Sequence, residues 1–378
     1  MTKEFLLGRM INFNRENEME PTRQVALRPL ISVALLQAFF HFISFVSAIA
    51  ASANAQGSPF YQGKTIQIIV ASSAETSYDH WAGLLARHMP KHIAGGPNMT
   101  VQNMPVVRGI VAANYLHTVA PPDGLTLLMF HKHVYMEQLI ERKEVKFDLR
   151  RFHWIGSPDK SLPMLYIRAD SPYKSIDQIF KTADPQRCGA SSTSDLTFSM
   201  SKVLEVALGG GVRVIVGYPG SKEIDAAMER EEVVCRVTSL DVYFGREPFQ
   251  TWDKKGFLRP LLLFGRKRDP RIPDVPTLYE YMEQVKTPAL NRRVADLILA
   301  GNELGRPMVA PPGTPPEAVK ILREAYARVF SDPAFLAEVK KSRIYVNRSS
   351  GTELEDLVRD VMDQRPKVIA RLKTLVAD

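Results

Sequence analysis

The stretch that decides the fold is TIQIIVASSAETSYDHWAGLLARHM, residues 65–89. Ile66, Ile68, Ile69 and Val70 form an apolar, largely β-branched run of strand length. Trp81, Leu84, Leu85, His88 and Met89 then recur at i, i+3, i+4, i+7 and i+8, the stripe of a helix that packs on a sheet. Small and polar residues, Ala71 to Ser77, stand between the two. Such a connection sets backbone N–H groups and the positive end of a helix dipole at the carboxyl edge of a sheet, where α/β proteins hold anionic ligands. The same stripe assigns His88 to the edge of the core rather than to a ligand set.

The alternation continues in both halves of the chain. MTVQNM reads as a second strand, followed by PVVRG, a helix over 110–118, the turn signal APPDG and the strand LTLLMF. A second series begins near residue 165 with the strand MLYIR and a short helix in ADSPYKSIDQIF. RCGASSTSD follows, then a helix over 196–208, the strand VRVIV, the loop GYPGS, a helix over 222–231 and the strand VVCRVTSL. These are βαβ units, so the fold class is α/β with two lobes. FLRPLLLFG reads as a strand returning the chain to the first lobe. The C-terminal part is helical, with Thr314, Pro315 and Glu317 as N-cap, first-turn proline and acid, and Thr352 with Glu355 as a capping box.

The composition, 378 residues with 45% hydrophobic and 24% charged, is that of a globular protein with core for one or two lobes. Residues 30–50 are apolar, follow Arg23 and Arg28, and lead into ASANAQG, where Ala53 and Ala55 make an A-x-A pattern before Gln56. Residues 1–55 therefore read as a cleaved export signal with a polar N-terminal extension, for which Met10 or Met19 is a more natural start. An uncleaved anchor is the alternative, since 21 residues can span a bilayer. The net charge of +8 is dispersed, without a basic run interleaved with aromatics, so no nucleic-acid partner is expected. Cys188 and Cys235 can form one bridge in an oxidising compartment, but spacing alone does not say whether they do.

Several segments taken together resemble the receptors of tripartite tricarboxylate transporters, also called the Bordetella uptake gene (Bug) family. They are FYQGKTIQIIV (60–70), YDHWAGLLARHMPKHIAGGPNMTVQNMP (78–105), AANYLHTVAPPDG (112–124), GYPGSKEIDAAMER (217–230), RIPDVPTLYE (271–280) and MVAPPGTPPEAVKILREAYARVFSDPAFLAEVKK (308–341). Their order and spacing, more than any one block, carry the likeness. The resemblance implies a type II-like periplasmic-binding-protein fold: two βαβ-based domains joined by hinge strands, here 59–164 with 263–378, and 165–262. It also implies a small solute, usually a carboxylate, held between them and delivered to membrane permease subunits. The family's ligand loops map onto Ser72, Ser73, Glu75, Thr76 and Ser77, and onto Val106 to Gly109, including Arg108 and Gly109. Facing them stand Ser191, Ser192, Thr193, Ser194 and Asp195, and Tyr218, Gly220 and Ser221. Where the family has a proline and glycines this chain has Ala74, Glu75, Thr76 and Ser77, and where it has NMPGAGG this chain has NMPVVRG. Glu75 and Arg108, of opposite charge at two positions normally glycine, are expected either to pair in the cleft or to point into solvent.

Asp79 reads as a helix cap or a ligand contact, and Ser221 carries the same two readings. Residues 191–195 (SSTSD) offer more hydroxyl and carboxylate groups than one cap requires, which favours ligand contact. His131 and His133, at i and i+2, would share a strand face, but no neighbouring ligand set completes a metal site. GYPGS lacks the nucleophile-elbow pattern and the glycine pairs lack the phosphate-loop pattern, so neither catalysis nor a cofactor is expected. The reading is an exported, monomeric, periplasmic solute receptor. The alternative is a degenerate receptor on the same fold that partners a sensor kinase.

Overall fold

The strand Thr65–Val70 (β1) is an interior strand of its sheet with apolar residues on both faces. Ile66, Ile68 and Val70 point to one side, where they pack with Trp81, Leu84 and Leu85 of the helix Ser77–His88. Ile69 points to the other, against Ala112, Ala113 and Leu116 of the helix Ile110–Thr118. Helices on both faces of a sheet whose first three strands run parallel make a doubly wound layer. The computed structural model describes residues 59–104, 109–193, 195–342 and 344–376. The expected export signal over 1–55, Val106, Val107, Arg108 and Ser194 lie outside the described residues.

The first sheet also contains β2 (Asn98–Asn103), β3 (Thr126–Met129), β4 (His153–Ser157), β10 (Met308–Ala310) and β11 (Ser349–Ser350), in the order β11-β4-β10-β3-β1-β2. β1 is parallel to β2 and β3, and β10 runs antiparallel between β3 and β4. The second sheet holds β5 (Pro163–Arg168), β6 (Arg187–Gly189), β7 (Arg213–Ile215), β8 (Cys235–Ser239) and β9 (Leu258–Leu263), in the order β7-β6-β8-β5-β9. β6 is parallel to β7 and β8, while β5 is antiparallel to β8 and β9. FLRPLLLFG thus supplies an edge strand of the second sheet. The chain returns to the first sheet through the helices Leu278–Gln284 and Ala289–Leu304. The longer helix joins both cores: Ala295 and Leu299 pack with Leu165 and Ile167, whereas Val294, Leu297, Ala300 and Leu304 pack with Leu128 and Trp154.

Two helix starts differ from the sequence reading by a fraction of a turn. The capping box belongs to Ser350 and Glu353, not to Thr352 and Glu355, because Ser350 sits at the end of β11 and is already extended. Pro315 is the N-cap of Pro316–Val329, and the Thr314 hydroxyl instead donates to Pro311 O at 2.8 Å. Among the described residues no helix is long and apolar enough to cross a membrane.

Cys188 and Cys235 form a disulfide between the neighbouring strands β6 and β8, where the two residues stand opposite each other in register and are wholly buried. The bridge closes a sequence separation of 47 and ties the middle of β6 to the first residue of β8. Replacing both cysteines with alanine should lower stability by about 3–4 kcal/mol on the chain-entropy estimate, read by urea unfolding. An unchanged midpoint would show that the strands hold each other without the bridge.

Candidate solute-binding cleft

In the first sheet the chain leaves β1 to reach β2 on one side and β3 on the other, so a crevice opens at the carboxyl ends of β1 and β3. The second sheet repeats this with β7 and β8 on either side of β6. The loop after β1 is tied by its own hydroxyls. Ser72 Oγ and Thr76 Oγ1 are 2.7 Å apart, and Thr76 Oγ1 donates to Ser73 O at 3.2 Å. Thr76 is the N-cap of Ser77–His88, accepting from Asp79 N at 3.3 Å. Asp79 therefore is not the cap residue: its carboxylate accepts from Glu75 N at 3.0 Å and from Asn103 Nδ2 at 2.8 Å, fastening the loop to the end of β2. Glu75 is exposed and adopts φ 65°, the left-handed region that favours glycine. Its expected partner Arg108 lies outside the described residues. Gly109 caps Ile110–Thr118 at φ 77°, where a Cβ would come within 3.1 Å of Val134 Cγ2.

On the second sheet, Asp195 caps Leu196–Leu208 by accepting from Thr197 N at 2.8 Å, and its other oxygen accepts from Ser191 Oγ at 3.0 Å. One carboxylate with two oxygens thus accounts for Ser191 as well as the cap. Ser192 and Thr193 are exposed, and Tyr218 is half-buried. Gly220 is the N-cap of Ser221–Glu229, so the Ser221 hydroxyl does not serve as the cap. It accepts from Arg236 Nη2 at 2.7 Å, and Arg236 pairs with Asp225 at 2.5 Å.

The floor of the first crevice is a charged set that the sequence reading passed over. β3 ends at Met129, so His131 and His133 lie in a turn rather than on one strand face, and their rings are 5.0 Å apart. Between them Lys132 donates from Nζ to Asn302 Oδ1 at 2.8 Å and from its backbone N to Tyr78 Oη at 3.1 Å. Arg306 donates from Nε to Ser77 Oγ at 3.1 Å, pairs with buried Asp159, and lies over the Tyr78 ring. Its backbone N donates to Ser157 Oγ at 2.8 Å. A lysine at the carboxyl end of the strand beyond a switch point was the available signal, hidden in a motif weighed only for metal. Among the described residues no group of three histidine, cysteine or acidic side chains could hold a metal ion.

The model of the tripartite tricarboxylate transporter family receptor matches residues 84–374. The chain belongs to that family. It is 26% identical over 323 residues to the UPF0065 protein in the gbd 5′ region of Cupriavidus necator, covering 81% of this chain and 90% of the relative. A TctC solute-binding protein from Polaromonas, solved without ligand, superposes with a TM-score of 0.64 at 17% identity, covering 84% of this chain and 99% of that one. MatC from Rhodopseudomonas palustris with bound malate superposes at 0.51 with 18% identity, covering 83% and 99%. The protein is thus a solute-binding receptor on the periplasmic-binding-protein fold, of a class that is not enzymatic.

The charged set of this receptor is strongly desolvated by the surrounding protein. His131 and His133 are exposed, yet surrounding protein desolvates them and the cation of Lys132 adds to the effect, lowering them to about 4 and about 3. Desolvation also lowers Lys132 to about 8, with Arg306 acting in the same direction and Asp159 and Asp241 opposing it. Burial lifts Asp159 to about 7 against the pull of Arg306. Folded Asp159 therefore keeps its proton between about pH 4 and pH 7 while the unfolded chain releases it, so its contribution to stability falls as pH rises through that window. Urea unfolding across pH should show the wild type losing stability relative to Asp159→Asn from about pH 4 to 7, with a level difference above. A difference that is constant over this range would contradict the assignment.

Proposed function

We propose that this receptor captures a small organic acid in the crevice between its two sheets and closes on it. The observation that carries the reading is a switch point in each sheet, with Lys132 and Arg306 gathered at the carboxyl end of the first. Cations and helix starts at the carboxyl ends of strands suit an anionic solute. The malate held by the Rhodopseudomonas relative supports the same class. Of the loops matched by resemblance, those after β1 and β6 supply Ser72, Ser73, Thr76, Ser77, Ser192 and Thr193 as contact candidates. Asp79, Ser191, Asp195 and Ser221 act chiefly by holding those loops in shape.

Closure moves a lobe of residues 165–262 against one of 59–164 and 263–378, with Ala289–Leu304 contributing to both cores. The closed form is what permease subunits of a tripartite transporter recognise, because solute and permease both favour one state of a two-state hinge. The receptor acts as a monomer, without cofactor and without converting its solute. Binding at concentrations well above the dissociation constant stabilises the folded state by about 3 kcal/mol. Malate or a similar acid should therefore raise the melting temperature of the mature protein by about 5 °C. A screen of organic acids and amino acids that leaves the melt unmoved would remove the solute-capture reading.

Export places the receptor in the periplasm, with the mature chain starting at Gln56. N-terminal sequencing of the periplasmic fraction should read QGSPF, and a full-length product retained in the membrane would overturn this.

A further inference from the structure

The two lobes are joined differently on their two sides. Along β5, Leu165 and Ile167 face one core while Met164 and Tyr166 face the other, and in the first sheet Ile69 and Val70 divide in the same way. On the side of Ile69, Leu165 and Ile167, the helix Ala289–Leu304 packs into both lobes. On the opposite side a guanidinium spans them. Arg271 lies against the ring of Phe244, with Cζ 4.3 Å from its centroid, and against the ring of Tyr345 at 4.9 Å. Phe244 belongs to the helix Leu240–Gly245 and, with Ile272, packs on the core that holds Met164 and Tyr166. Tyr345 stands between Ile344 and Val346, which pack on the core that holds Ile66 and Val70. Asp269 holds the guanidinium as a fork, accepting from Nε and Nη2 at 2.8 Å each.

The crevice is open in this arrangement. Ser73, Glu75 and Ser77 on one side and Thr193 and Ser221 on the other are exposed, and the bonds of Glu75, Ser77 and Ser221 stay within their own lobes. We propose that Phe244, Arg271 and Tyr345 form a clasp that holds the receptor open, and that closure on the solute breaks it. The proposal rests on the closure reading and adds the contact that sets how readily closure occurs. Both rings already touch the guanidinium, so a rotation that presses the lobes together there is resisted. A rotation that parts them forfeits an attraction that acts only within about 6 Å of the ring centroid. Rotation in either sense therefore costs the contact. The pivot is the helix Ala289–Leu304, buried in both cores, with the adjacent crossing segments, where Phe264 N donates to Pro163 O at 2.8 Å. The clasp lies to one side of that pivot and at the surface: Tyr345 is 48% exposed and contributes little to either core. Its effect falls on the balance between open and closed states, and solute affinity scales with the closed fraction.

The test is the distance between spin labels across the crevice, placed on His80→Cys in the helix Ser77–His88 and Lys222→Cys in the helix Ser221–Glu229, both exposed positions. In the mature protein without solute, Tyr345→Ala should raise the ratio of closed to open distances about two- to fivefold, the factor of one exposed cation–π contact. Tyr345→Phe should keep the wild-type distribution because it keeps the ring, and Arg271→Met should shift it at least as far as Tyr345→Ala. A distribution that neither Tyr345→Ala nor Arg271→Met changes, or that moves to longer distances, overturns the clasp. Calorimetric titration with malate gives a second reading. Tyr345→Ala should bind malate about two- to fivefold tighter than the wild type, and equal or weaker binding also overturns the proposal. If malate binds neither protein, the fault lies with the solute-capture reading, and the distances measured without solute still decide the clasp.

Discussion

The approach of Gly305 to the Asp159 carbonyl is the constraint on which the cleft depends. A Cβ at Gly305 would lie 1.7 Å from that oxygen, and the residue also takes φ 65°, so only glycine lets the end of the helix Ala289–Leu304 meet the segment joining β4 to β5. This contact sets Arg306, the next residue, between the Asp159 carboxylate and Ser77 at the start of the helix after β1. Tyr78 donates to Gly305 O at 3.4 Å and accepts from Lys132 N, so the same point also locates the turn after β3. Three segments distant in sequence, near residues 78, 132 and 306, are thereby held at one sheet edge, beside the passage of the chain from one sheet to the other.

Charge at that place does not serve stability well. Bringing Lys132, Arg306 and Asp159 out of water costs more than isolated pairing returns, and Asp159 Oδ1 and Asn302 Nδ2 are left without hydrogen-bond partners. A core of apolar residues would hold the two sheets together at least as well. The cluster therefore makes physical sense as a surface for an ion that arrives from solution. The loops beside it have a different task, because Thr76, Asp79 and Asp195 direct their oxygens inward to helix starts and neighbouring loops. They give the crevice fixed walls, and the polar chemistry is concentrated on its floor.

The rigidity of these walls has a covalent component in the second sheet. The Cys188–Cys235 bridge joins the strand followed by the Ser191 loop to the strand followed by the helix Leu240–Gly245. In the first sheet the same task falls to side chains, with Asn103 reaching from the end of β2 to Asp79 and to Ser72 O. In the proposed closure, a change at the crossing segments would leave each of these walls in shape.

Much of the architecture was legible in the sequence because it rests on local periodicity. The run Ile66 to Val70, the stripe from Trp81 to Met89 and the helices over 110–118 and 196–208 are set by which residues are apolar at spacings of 2 and 3.6, and a chain carries that information in order. Helix starts were less secure. Ser350 and Thr352 are equally good caps in isolation, and the choice between them followed from β11, a strand of two residues with no sequence pattern of its own. Whether Cys188 and Cys235 were joined depended on β6 and β8 being neighbours, which is a matter of strand order. The charged floor was the least legible feature, since Lys132, Asp159, Asp241 and Arg306 are ordinary surface residue types lying up to 174 positions apart. The sequence by itself determined the α/β layers and their helices, through short-range apolar spacing. The tertiary structure alone decided which charges share a field, because that depends on strand order and on one glycine contact that brings remote segments to the same edge.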